Sequence, residues 1–194
     1  MRSTTLITAV SLGLALAACG KKNDETVATS NDTTMTTNAD MKASGNMGAT
    51  AAAMPAQSFV DTVVGSDMFE IQSGKLAETM ATSASLKSMV DMLVADHSKS
   101  SDMLKAAAKK TSPMVALPMV LPAGLKAKID ALKATKGADF DKLYVEQQAD
   151  GHKAALDALK AYSADGDQAS LKAFALSAIP VVQGHLDKLM VMPK

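Results

Sequence analysis

The chain has 194 residues, with 20 basic and 20 acidic side chains that give a formal net charge of zero. That balance offers no basic footprint for nucleic acid and no polybasic patch for an anionic membrane surface. A single cysteine excludes an internal disulfide, and abundant Ala, Leu, Lys and Met with four Phe, two Tyr and no Trp argue for an all-α protein stabilised by its core.

The chain opens with a short basic start, Met1-Arg2, followed by an apolar run from Leu6 to Ala18. This run is too short to span a bilayer comfortably and reads as a removable leader. It ends in Leu16-Ala17-Ala18-Cys19, which resembles a bacterial lipoprotein signal. The resemblance implies cleavage before Cys19 and acylation of that residue, the lone thiol of the chain. Residues 1–18 are therefore expected to be the signal peptide, leaving 176 residues (194 − 18). Several acyl chains would anchor the protein where one gives only marginal binding. Gly20 in place of Asp after Cys19, by the same resemblance, favours the outer membrane, with the domain in the periplasm.

Residues 19–54 read as the lipidated Cys19 and a disordered tether, dominated by Thr, Asn, Asp, Ala and Gly and unable to bury enough apolar surface to offset its ordering entropy. Met35, Met41, Met47 and Met54 punctuate it. Soft thioethers suit Cu(I), but no Met-x-x-Met cluster or neighbouring His accompanies them, and scattered methionines in a linker are the simpler reading.

Helical periodicity takes over for a domain at 55–194. Helix A is expected over Gln57–Thr82 and helix B over Ser83–Lys110. Pro113, Pro118 and Pro122 then force a crossover, with a short helix near Pro122–Thr135. Helix C is expected over Ala138–Tyr162, stopped at Ala164-Asp165-Gly166. Helix D, capped by Asp167, reaches about Val191, with Pro180 as an expected kink. Four long amphipathic helices and one long crossover with a short extra helix predict a ferritin-like four-helix bundle. A faint echo, Ala84-Ser85-Leu86-Lys87 against Ala169-Ser170-Leu171-Lys172, pairs the two hairpins.

All three histidines fall on apolar faces: His97 on helix B, His152 on helix C and His185 on helix D. On helix A the inward polar residue is Glu70. Burying such groups is costly unless they are hydrogen-bonded, paired or coordinated. Counting from the A–B turn puts Glu70 level with His97. Counting from Asp165 staggers His152 and His185 by roughly 10 Å. A di-iron oxidase ranks last among the readings, because the residues three before the histidines are Val94, Ala149 and Val182 rather than glutamates. What stays open is a single transition metal (Zn, Cu or Fe) held by Glu70, His97, His152 and His185, or a buried Glu–His hydrogen-bond pair with no metal required. No catalytic constellation stands out, and Asp96 is expected on the polar flank of its helix.

The run from Phe69 to Ala77, the segment Val94-Ala95-Asp96-His97-Ser98-Lys99, Phe140 to Val145 leading to His152, and Leu171 to Ala175 leading to His185 together resemble the bacterial domain of unknown function family 4142. The resemblance covers roughly residues 56–191. It implies a ferritin-like helical bundle in exported or envelope proteins and supplies no activity. Gly151, where the family usually carries Asp, is a departure. The leading expectation is a non-enzymatic, lipid-anchored envelope protein acting in envelope maintenance or stress tolerance. Its partners would be the membrane through its lipid and, on the helical surface, an envelope protein or a second copy in a homo-oligomer. The alternative is a periplasmic metal-binding protein.

Overall fold

A computed structural model describes residues 54–193. The leader, Cys19, and the methionines Met35, Met41 and Met47 lie outside the described residues. Met54, assigned above to the tether, is half-buried and packs against the core.

The described residues form five helices and no strand: α1 (Ala56–Met80), α2 (Ala84–Ala108), α3 (Ala123–Ala134), α4 (Gly137–Asp165) and α5 (Ala169–Met190). This is the all-α bundle the periodicity predicts. α1 packs against α2 and α4, α5 packs against α4 and α2, and the short α3 lies on α1 and α4. None of the described helices is long and apolar enough to cross a membrane.

Polar ties fix the helix directions. At the α1–α2 turn, the Asp141 carboxylate near the start of α4 accepts from the Thr82 backbone N–H at 3.0 Å, the Ser83 backbone N–H at 3.0 Å and the Thr82 hydroxyl at 2.6 Å. The end of α1 therefore meets the beginning of α4. At the opposite end, Gln168 at the head of α5 exchanges two hydrogen bonds with the backbone of Ser112, just past α2. Every adjacent pair of long helices is antiparallel, and the crossover must run the length of the bundle. Gln57 holds it partway by the same device, bonding both the N–H and the C=O of Ala116 at 2.8 and 2.9 Å.

Aromatic layers close the interior towards both ends. Phe59 stacks on Tyr162 at 4.0 Å between centroids, with Phe174 edge-on at 6.3 Å. Phe140 and Tyr144 stack at 6.1 Å near the other end. The polar layer lies between them.

Two local expectations are corrected. Asp167 does not cap α5. It accepts the Tyr162 hydroxyl at 2.7 Å, and the capping position falls to Gln168, whose side chain makes no cap bond. α4 runs three residues past the expected end at Tyr162, to Asp165, and stops inside the expected Ala164-Asp165-Gly166 turn. The extended Gly166 then lets the Tyr162 ring pass where a Cβ would collide with it. Pro180 lies inside α5, as expected, and has no N–H to give to the helix ladder.

Gly74 marks the closest approach of α1 and α2, since a Cβ there would overlap Cγ2 of Val94, a stiff side chain that cannot turn away. Gly74→Ala should therefore destabilise the domain by about 1–3 kcal/mol despite its better helix propensity. Adding Val94→Ala should recover part of the loss, as thermal melts of the two variants will read. Equal stability of Gly74→Ala and wild type would rule this crossing out as the tight contact.

Candidate functional site

Each long helix sends polar groups into the buried layer. On α1 the apolar stripe Phe59, Val63, Gly74 and Ala77 is interrupted by Asp67 and Glu70, both buried. α2 contributes His97, α4 contributes Gln148 and His152, and α5 contributes His185, all buried.

The three histidines converge. His97 Nε2 lies 3.4 Å from His152 Nε2, and His152 Nε2 lies 3.4 Å from His185 Nδ1. One ring nitrogen from each falls within 4.8 Å of the others. The expected stagger of His152 and His185 is absent because the three residues between α4 and α5 are not helical and add no axial rise. Measured from the helix ends, His152 lies 13 residues before Asp165 (165 − 152) and His185 lies 16 after Ala169 (185 − 169). That difference is about 4.5 Å along the axis, within reach of two imidazoles.

The outer ring nitrogens decide what the inner ones present. His152 Nδ1 donates to the Gln148 carbonyl at 2.8 Å, one helical turn back, which makes its Nε2 the lone-pair nitrogen. His185 Nε2 donates to the Asp96 carboxylate at 2.9 Å, which leaves a lone pair on the inner Nδ1. His97 Nδ1 donates to Asp67 at 2.8 Å, and Ser101 holds the other Asp67 oxygen at 3.2 Å. In the neutral form all three inner nitrogens are acceptors facing acceptors. A proton on His97 Nε2 relieves the approach to His152 but leaves His152 and His185 lone pair to lone pair. A single cation at the centre satisfies all three.

Protonation follows this geometry. Burial opposes charge on His97, but the Asp67 hydrogen bond and the nearby Glu70, Asp67 and Asp96 carboxylates hold its imidazole above the ordinary value. Burial and then the His97 charge pull His152 down to about 3. Burial also lowers His185, against its Asp96 partner.

Glu70 sits beside this cluster rather than in it. Its Oε1 lies 3.8 Å from His152 Nδ1, the outer nitrogen of that ring. Neither carboxylate oxygen has a hydrogen-bond partner among the described residues, and the same holds for Tyr144 Oη and Gln148 Oε1. The expected pairing of Glu70 with His97 is replaced by Asp67 with His97. Sequence reasoning passed over Asp67, although it stands four residues after Val63 and seven after Val60 on the same stripe. Asp96 does not orient its neighbour His97; it crosses to His185 on α5.

A family model described as "Domain of unknown function (DUF4142)" matches residues 41–192 of the chain. No curated protein and no solved structure matches it.

Burial pushes the Glu70 carboxyl up to about 7, against the attraction of His97. Its folded value lies above the unfolded one, so the stability it lends is complete below pH 4.5 and is lost as pH rises through about 7. Glu70→Gln, which cannot ionise, should flatten that decline. It should also leave the variant more stable than wild type at pH 8 by about 2 kcal/mol, measured by denaturation from pH 4 to 8. Parallel pH profiles for the two proteins would contradict this.

Proposed function

Because the chain belongs to the family described as a domain of unknown function (DUF4142), which names no activity, we propose its function from the geometry of the buried layer: it binds one divalent transition metal, zinc by preference, through His97, His152 and His185. The observation that carries this reading is the convergence of three inward lone pairs, each fixed by a hydrogen bond on the far side of its own ring. Metal-bound histidines characteristically donate their other N–H to a carboxylate or a carbonyl, and this cluster has two of the first and one of the second.

The spacing supports zinc. A tetrahedral ion with bonds of 2.0–2.1 Å needs ligand nitrogens about 3.3 Å apart; two of the three separations are 3.4 Å, and the third, between His97 and His185, is within 4.8 Å and closes as the rings turn onto the ion. Three imidazoles with no fourth protein ligand in the cluster leave one coordination position for an outside group. Glu70 stands behind His152 as a positioning group in this reading. The carboxylates of Asp67 and Asp96 offset the positive charge of the ion.

The leader and Cys19 support placing this domain in the cell envelope, held by lipid on the periplasmic side of the outer membrane. Metal holding there is one concrete form that envelope maintenance or stress tolerance takes.

The test is elemental analysis of the full chain, with thermal melts in zinc and in chelator. One zinc per chain is expected, with a higher melting temperature in zinc, since a ligand present at a thousandfold excess over Kd adds about 4 kcal/mol to the folded state. His97→Ala, His152→Ala and His185→Ala should each remove the metal. Asp67→Asn should keep the fold and weaken binding by roughly 10- to 100-fold. A wild-type protein without metal and with no melting shift would refute the proposal.

A further inference from the structure

A cavity of about 170 Å³ opens off the histidine cluster among α1, α2, α4 and α5. His97 and His185 form part of its wall, together with their carboxylate partners Asp67 and Asp96, while His152 does not line it. Most of the remaining wall is apolar, with Val63, Leu159, Phe174 and Val182 buried around it. At the rim Met103 and Val181 are 40% and 44% exposed, so the apolar lining continues out to solvent.

We infer that this cavity seats an outside ligand of the metal: a small monocarboxylate with an apolar body the size of one aromatic ring. The inference rests on the three-histidine reading and deepens it. Three observations select the class. The fourth coordination position belongs to no protein group in the cluster, and zinc readily takes a carboxylate oxygen there. The volume matches the ligand's body, since an apolar cavity of roughly 150 Å³ accommodates a benzene ring. The charge matches its head: Asp67 and Asp96 balance a divalent ion, and Lys99 is the one cationic side chain in the wall left to balance a single further negative charge. A dianion would leave a negative charge uncompensated beside apolar walls, which is costly.

The experiment uses the full chain loaded with cobalt(II), whose visible absorption reports the fourth ligand. Benzoate and acetate are titrated separately into the same protein. Benzoate should shift the bands and bind at least about tenfold more tightly than acetate, because only benzoate fills the cavity. Ala178→Phe, which occupies the cavity from its wall, should keep the metal and erase the advantage of benzoate. A bulky 3,5-di-tert-butylbenzoate should fall back to the affinity of acetate in wild type, a check that depends on no variant folding. Metal uptake with equal affinities for benzoate and acetate would overturn the ligand inference and leave the metal site standing. So would an undiminished benzoate advantage in metal-loaded Ala178→Phe. Failure to take up cobalt or zinc at all would remove the metal reading, and this inference with it.

Discussion

The structure depends on a constraint at its centre: three imidazoles are held so that their lone pairs face one another. The hydrogen bonds that impose this lie on the outside of the triangle, at Asp67, at the Gln148 carbonyl and at Asp96. A buried polar layer designed only for stability would turn donors towards acceptors. Here the outer bonds are satisfied and the inner ones are not, which is the arrangement expected where a cation supplies the missing positive charge. The neighbouring Glu70 carries the same signature, buried with both oxygens unpartnered among the described residues.

Four helices are needed to build that triangle and its supports. α1 supplies Asp67 and Glu70, α2 supplies one ring together with Asp96, and α4 and α5 each supply one ring. Aromatic stacking of Phe59 on Tyr162 and of Phe140 on Tyr144 seals the interior on either side, so the polar groups occupy one layer of an otherwise apolar core. The crossover is held by side chains that imitate backbone pairing: Gln57 and Gln168 each offer an amide donor and an acceptor to a single residue, Ala116 and Ser112. Those clamps pin the start of the crossover to the heads of α1 and α5.

Much of this was legible in the sequence, because it rests on periodicity. The stripes of Leu86, Val90, Leu93 and Leu104 on α2, and of Leu171, Phe174 and Val182 on α5, place the helices and turn His97 and His185 inward without any tertiary information. The inward His152 followed from Tyr144, Val145 and Leu159 in the same way. Register across the bundle was less legible. Whether Asp67 or Glu70 meets His97 depends on about one turn of axial shift, and the loop between α4 and α5 changes the height of His185 by more than that. Asp96 was read by its place on its own helix, as a flank residue. Its partner lies 89 positions away on α5, a relation that only the packed helices reveal. The unpartnered oxygens of Glu70 and the cavity beside the cluster are properties of packing as well, and no residue pattern announces them.

The alternation of helix directions has an electrostatic consequence. Each long helix lies between two neighbours running the other way, so their backbone dipoles largely cancel. The cluster also sits away from the first and last turns, where a helix end acts as a partial charge. The potential at the centre is therefore written almost wholly by side chains, with Asp67 and Asp96 as its negative terms. A substitution at Asp67 or Asp96 therefore acts on that potential directly, through the charge of the group exchanged.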